Sequence, residues 1–239
     1  MLFRSGNGIG AAVARLLAER GDTVVVADLD GDAAAAVAAE IGGVPCTVDV
    51  SDEASVAAMA GMIAERFGSL DVAGNVAGIA PEPKAFTDHT LAEWQRTIDV
   101  DLTGVFLCMQ HELRLMTATG RGGAIVNMAS GAAVVAAPGQ PQYTAAKHAV
   151  LGLTRQAAQE YAAQGIRVNA VLPGQTATGP MQAYLDALPD GGERMLRRLP
   201  MGRMATPEEV ARATVWLCSA EASYVNGVAL TVDGGLIAR

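Results

Sequence analysis

Aromatic residues make up only 4% of this 239-residue sequence although hydrophobic residues reach 51%, so its apolar content is mostly small and aliphatic. Alanine, valine, leucine and glycine dominate, as expected where helices pack closely on a parallel sheet. No apolar run approaches the roughly 18–20 residues of a membrane span, and no positively charged start precedes a signal-length apolar stretch. A cytoplasmic, reducing location is the resulting expectation. Basic residues are outnumbered, 17 against 25 acidic ones, for a net charge of −8. That balance argues against a nucleic-acid partner or an anionic membrane surface and predicts solubility. The three cysteines, Cys46, Cys108 and Cys218, show no metal-ligand spacing and read as small buried hydrophobes. His89, His111 and His148 are just as dispersed, and no metal centre is expected.

What the chain does have is alternation. Helices are predicted over residues 11–20, 32–41, 52–67, 90–100, 102–119, 142–163 and 207–218, and strands over 23–27, 44–49, 70–75, 124–128, 166–171 and 228–232. Ser51 and Thr206 stand where helix caps are needed. Residues 182–199, rich in Met, Leu and Arg, read as a more variable helical lid. Alternation of this kind specifies an α/β fold, a doubly wound parallel sheet with helices on both faces. A length of 239 residues suits one such domain, and no linker, low-complexity tract or long internal repeat divides it. Ligands of these sheets sit outside the carboxyl ends of the strands. Gly8, Asp28, Asp49, Asn75, Ser130 and Pro173 all fall on that edge, at strand ends or helix starts.

Three groups on this edge carry chemistry. Tyr143 and Lys147 are four apart on a predicted helix, so they share a face and can act on one substrate atom. A free tyrosine titrates near pH ~10, and a lysine ammonium within about 4–6 Å favours its phenolate, which suits proton transfer. Ser130 follows a buried strand, where its hydroxyl can bond the same carbonyl or alcohol oxygen. Gly6, Gly8 and Gly10 crowd the entry to the first helix, where bare backbone lets a diphosphate approach unpaired N–H groups. Asp28 ends the next strand, where a dinucleotide fold places the carboxylate that accepts from the adenosine ribose. A carboxylate there repels a 2′-phosphate and selects NAD over NADP.

Together these motifs resemble the short-chain dehydrogenase/reductase family over nearly the whole chain. The match is carried by Gly6-Asn7-Gly8-Ile9-Gly10, Asp28, Asp49-Val50, Asn75-Val76-Ala77-Gly78, Ser130, Tyr143 with Lys147, Pro173-Gly174 with Thr178, and Val232-Asp233-Gly234-Gly235. The resemblance implies a Rossmann-like fold and an NAD(P)-dependent oxidoreductase acting on a small alcohol or carbonyl substrate, assembled as a homotetramer. It implies Tyr143 as acid–base, Ser130 as the group orienting the substrate oxygen, and Lys147 as the holder of the nicotinamide ribose. Asp49 and Val50 correspond to adenine contacts and Thr178 to the threonine near the carboxamide. Leu29, Asn75, Ala77, Gly78, Pro173, Gly174 and Thr176, with Tyr143 and Lys147, complete the implied cofactor set.

Three places depart from the family pattern. Phe3 and Arg4 stand where the family has a Thr-Gly pair, and the strand before that pair is reduced to Met1-Leu2-Phe3. That strand belongs in the middle of the sheet. Its loss would leave backbone groups of two neighbours unpaired, at about 1–3 kcal/mol for each one buried. Either the sequence is a shortened version of a longer protein, or something else fills the gap. Asp101, within Asp99-Val100-Asp101-Leu102-Thr103, stands at the asparagine of the family's catalytic tetrad. The family role there, a backbone carbonyl holding a water that relays protons to the lysine, survives the change. An ionised Asp101 would still offset the Lys147 ammonium and weaken its pull on Tyr143. Val76 replaces an asparagine and removes one sheet hydrogen bond.

The leading expectation is an NAD-dependent oxidoreductase that moves a hydride between nicotinamide and a secondary alcohol or ketone. A second reading is a truncated or catalytically impaired relative that serves as a binding or assembly subunit. A third, epimerisation or dehydration, calls for a longer carboxyl-terminal substrate domain than 239 residues accommodate. Residues 178–204 hold Met181, Tyr184, Leu185, Leu188, Met195 and Leu196. That apolar set reads equally as a pocket wall or as packing against the core or a neighbouring subunit, and Arg194, Arg197 and Arg198 as a solvated face or an anion contact.

Overall fold

Successive side chains of a strand point to opposite faces of its sheet, and residues 24–27 use both. Val25 and Ala27 enter the core on one side, Val24 and Val26 the core on the other. In the computed structural model, which describes residues 2–3 as backbone and residues 6–238 in full, this pattern extends across a seven-stranded sheet. The strands are β1 (Leu2–Phe3), β2 (Val25–Asp28), β3 (Val44–Thr47), β4 (Val72–Asn75), β5 (Gly123–Met128), β6 (Ile166–Pro173) and β7 (Ala229–Val232). The helices are α1 (Gly8–Glu19), α2 (Gly31–Ile41), α3 (Glu53–Phe67), α4 (Leu91–Ile98), α5 (Gly104–Thr119), α6 (Pro141–Tyr161), α7 (Gly179–Asp186), α8 (Glu193–Leu196) and α9 (Pro207–Leu217). Every strand pair is parallel, in the order β3-β2-β1-β4-β5-β6-β7. The doubly wound fold expected from the alternation is the one observed.

Helices α3, α5 and α6 cover one face through Met59, Ile63, Val105, Met116, Val150 and Leu151. Helices α1 and α2 cover the other through Val13, Leu17, Ala34 and Val37, and α9 adds Val210, Ala211 and Leu217. Burying each Val or Leu stabilises by about 1.5–3 kcal/mol. Among the described residues, no helix is long and apolar enough to cross a membrane.

The central strand is short but in place. Leu2 and Phe3 pair with Val26 and Ala27 on one side and with Gly74 and Asn75 on the other. The ladder thus joins β2 to β4 at their carboxyl ends, the part of the sheet that carries Asp28 and Asn75. Arg4 lies outside the described residues.

Several local expectations change. Ser51 does not cap α3; Asp52 does, accepting from the Ala54 N–H at 3.0 Å, while the Ser51 hydroxyl turns back to Asp49 at 2.6 Å. The helical lid expected over 182–199 is broken into α7 and α8, because Pro189 lacks an N–H and Gly191 and Gly192 take φ of +57° and +80°. Residues 91–119 run on without a break, a π-turn over Asp99–Thr103 joining α4 to α5. Thr206 does cap α9, in a reciprocal box with Glu209. Only Cys108 of the cysteines is fully buried; Cys46 and Cys218 lie half-buried at the margins of the core.

Candidate active site

The sheet order reverses direction between β1 and β4, and the carboxyl ends beside that point form the cleft of a doubly wound fold. Helix α1 starts there. Asn7, its N-cap, makes no side-chain cap, and Gly8 takes φ +56°, so neither of these residues covers the first-turn N–H groups with a side chain. A Cβ on Gly8 would lie 3.1 Å from Thr178 Cγ2, which places Thr178 across the glycine turn. Ile9 and Gly10 continue the first turn, Gly10 buried against the sheet.

Asp28 ends β2 as a buried carboxylate. Its Oδ2 accepts the Gly6 N–H at 2.9 Å and its Oδ1 the Asp30 N–H at 3.1 Å. Each oxygen keeps a lone pair for a ribose hydroxyl. Leu29 beside it is exposed, and Asp30 caps α2. Past β3, Asp49 is engaged by Ser51, and Val50 packs so closely on Gly104 that a Cβ there would meet it at 2.9 Å. A helix amino terminus without a cap, a buried acid one strand over and a glycine turn too tight for side chains fit a nicotinamide dinucleotide.

The catalytic candidates converge from three elements. Lys147, on α6, is 3% exposed; its Nζ donates to the Met128 carbonyl at 3.2 Å, lies 3.5 Å from Asp101 Oδ2 and sits 5.5 Å from the Tyr143 ring centre. The π-turn delivers Asp101, whose Oδ1 accepts the Ile79 N–H at 2.7 Å. Gly78 borders this pair: a Cβ there would be 3.2 Å from Lys147 Nζ and 3.3 Å from Asp101 Oδ1. Ser130 follows β5 and caps a short turn over Gly131–Ala133, its Oγ accepting the Ala132 N–H at 3.1 Å. At the end of β6, Pro173 and Gly174 lead to buried Thr176, which bridges to Ala205, and then to Thr178 at the start of α7.

Asn75 is placed differently from a cofactor contact. Its side chain turns into the core, where Nδ2 donates to Glu112 Oε2 at 3.1 Å and to Asn127 Oδ1 at 2.9 Å. Ala77 and Gly78 hold the partly exposed positions beyond it.

A model of a protein family described as enoyl-(acyl carrier protein) reductase matches residues 4–237. The chain belongs to the short-chain dehydrogenase/reductase family. As a short-chain dehydrogenase/reductase it is a nicotinamide-dependent oxidoreductase of CH–OH groups. A cis-4-hydroxycyclohexanecarboxylate dehydrogenase of Sinomonas cyclohexanicum is 50% identical, over 98% of this chain and 94% of that one. A 2,5-dichloro-2,5-cyclohexadiene-1,4-diol dehydrogenase of Sphingobium indicum is 41% identical over the same shares, 98% and 94%. The crystal structure of 3-ketoacyl-(acyl-carrier-protein) reductase from Brucella melitensis, complexed with NADH, superposes with a TM-score of 0.91 at 32% identity, covering 98% of this chain and 96% of that one.

Two features of this short-chain dehydrogenase/reductase were not read from its sequence. Glu112 is fully buried, and burial pushes its carboxyl up to about 7 against the opposing Asn75 hydrogen bond. Its signal was present: on α5 it shares the buried register of Val105, Cys108, Met109 and Met116. The second is a clasp between the loops that flank the cleft. Gly139, at φ +78°, offers one carbonyl to the Lys84 N–H at 3.1 Å and to the His89 ring at 3.0 Å. Gln140 donates to the Pro81 carbonyl, and Gln142 holds the other nitrogen of His89 at 3.2 Å.

Proposed function

We propose that the chain is an NAD-dependent dehydrogenase that oxidises a secondary alcohol on a six-membered carbon ring to the ketone, reversibly. The observation carrying this reading is the buried Lys147 one helical turn from Tyr143, its Nζ on the Met128 carbonyl two residues before Ser130. The ring-bearing alcohols named for two relatives give the substrate class its direction.

Ser130 Oγ and Tyr143 Oη hold the substrate hydroxyl between them. Tyr143 takes the hydroxyl proton, with the Lys147 ammonium one helical turn along the same helix. NAD, when bound, supplies the hydride acceptor. Gly6, Asn7, Gly8, Ile9 and Gly10 would hold its diphosphate, and Asp28 and Leu29 its adenosine ribose. Asp49 and Val50 would hold the adenine, and Ala77 and Gly78 would border the nicotinamide ribose with Lys147. Pro173, Gly174, Thr176 and Thr178 would hold the carboxamide end. Asp28 favours NAD because a 2′-phosphate would meet its charge and that of Asp30. Holding alcohol and cofactor together contributes up to about 7–11 kcal/mol, and a positioned acid–base about 10²–10⁴-fold.

The whole chain acts as one catalytic domain, with residues 178–204 as its substrate lid. We place it in the cytoplasm as a homotetramer. Exposed Ala145, His148 and Gly152 on α6, with Phe106 of α5, support a helical interface, since open space over Gly152 admits a second helix.

The test is NADH formation from cyclohexanol and from cis-4-hydroxycyclohexanecarboxylate by the purified chain. NADH production with at least one ring alcohol is expected. Production only from linear alcohols would overturn the ring assignment.

A further inference from the structure

The turn that follows Ser130 is built around one glycine. The carbonyl of Gly131 accepts the N–H groups of both Val134 and Val135 at 3.1 Å, folding the chain so that both valines leave the loop next to the catalytic serine. Both are large aliphatic side chains left nearly half exposed, 47% and 44%. On the other side of Gly131 stands Ile237. Its Cγ2 lies 3.4 Å from where a Cβ on Gly131 would be, so the missing side chain makes its room.

Ile237 is held there by design of the carboxyl-terminal turn. Asp233 accepts the Gly235 N–H on Oδ1 and the Ile237 N–H on Oδ2, both at 2.8 Å. The same turn is wedged against Gly174, where a Cβ would meet Asp233 Cα at 2.7 Å, and against Met201 at the end of the 178–204 segment. It ties Ile237 rigidly to the strand end that carries Pro173 and Gly174.

We infer that Val134, Val135 and Ile237 form an aliphatic wall that takes the carbon skeleton of the substrate and selects uncharged ring alcohols over ring alcohols bearing a carboxylate. This rests on the ring-alcohol reading above. Desolvating a carboxylate against such a wall needs a cation to offset the cost. Among the described residues, four cations of the bordering segments are engaged: Lys147 with Asp101, Lys84 with Glu93, Arg197 with Glu193 and Arg203 with Glu209. Arg194 and Arg198 lie exposed to solvent.

The test compares kcat/KM for cyclohexanol and for cis-4-hydroxycyclohexanecarboxylate in wild type, Ile237→Lys and Val135→Lys. Wild type is expected to prefer cyclohexanol at least about tenfold, a difference of about 1.4 kcal/mol. Each lysine variant is expected to reduce that ratio about tenfold or more, mainly through KM for the carboxylate. A wild type that prefers the carboxylate, or lysine variants that turn over both alcohols with an unchanged ratio, would overturn the wall while leaving the ring-alcohol reading intact. Absence of turnover with either ring in wild type would overturn both.

Discussion

Lys147 Nζ lies 3.5 Å from Asp101 Oδ2, with both side chains out of solvent. The carboxylate offsets the ammonium that would otherwise act on the Tyr143 phenol alone, and the π-turn fixes it by tying Oδ1 to the Ile79 N–H. The other acid of that turn, Asp99, is turned to Gln95 instead. Replacing Asp101 by Asn keeps the Ile79 acceptor and removes the charge. In Asp101→Asn the acidic limb of the pH–rate profile for alcohol oxidation is expected to move to lower pH, because the Lys147 ammonium then faces the reacting proton with no carboxylate beside it. A profile superimposable on wild type would contradict this role.

Glu112 sets a pH dependence of stability. Its carboxyl titrates near 7 in the fold and near ~4.3 in the unfolded chain, so the fold holds the proton more tightly. The stabilisation is therefore full below the unfolded value and is lost as pH rises through the folded one. Each unit between the two is about 1.4 kcal/mol, so stability should fall by about 3 kcal/mol between about pH 4 and pH 7 from this group. Glu112→Gln should remove that slope and keep a donor or acceptor for Asn75. Urea midpoints measured across this range should diverge between variant and wild type as pH rises.

Asp28 is expected to decide the cofactor. Asp28→Asn keeps an oxygen for the Gly6 N–H but removes the charge that faces a 2′-phosphate. The ratio of NAD to NADP affinity should fall at least about tenfold. Calorimetric titration with both dinucleotides checks this, and an unchanged ratio would place the selectivity elsewhere.

Gly139 holds the clasp between the cleft loops. A Cβ there would meet Pro83 Cβ at 2.9 Å, and φ of +78° disfavours any L side chain. Gly139→Ala is expected to cost at least about 1 kcal/mol, since left-handed backbone alone costs roughly 1–2. Hydrogen exchange should rise at the Lys84 amide, whose acceptor is the Gly139 carbonyl; unchanged protection there would show that the clasp is not needed to order the loop.

Much of this was legible in the sequence because it rests on local rules. Short apolar runs and helix-period patterns located the alternating elements, and the ends of those strands then put Asp28, Ser130 and Pro173 on one edge. Position four apart on a helix was enough to pair Tyr143 with Lys147. What stayed hidden depended on contacts between distant segments. The π-turn that presents Asp101 has no local marker in a stretch that reads as plain helix. Ser51 and Asp52 are adjacent and both cap well, so only the path of the backbone chose between them. Asn75 looked like a cleft residue by its place at a strand end, yet its side chain follows Glu112 into the core. The break between α7 and α8 could have been read from Pro189 and the two glycines after it. Ile237 reaches Gly131 from the far end of the chain, which no pattern within either segment signals.

The central claim is that Tyr143 moves the proton in an alcohol dehydrogenation. The most direct test is NADH formation from a ring alcohol by wild type and by Tyr143→Phe, at matched folding by circular dichroism and matched NAD binding by calorimetry. The account predicts that Tyr143→Phe binds NAD as wild type does and loses about 10²-fold or more in kcat. Turnover at the wild-type rate by Tyr143→Phe would contradict it.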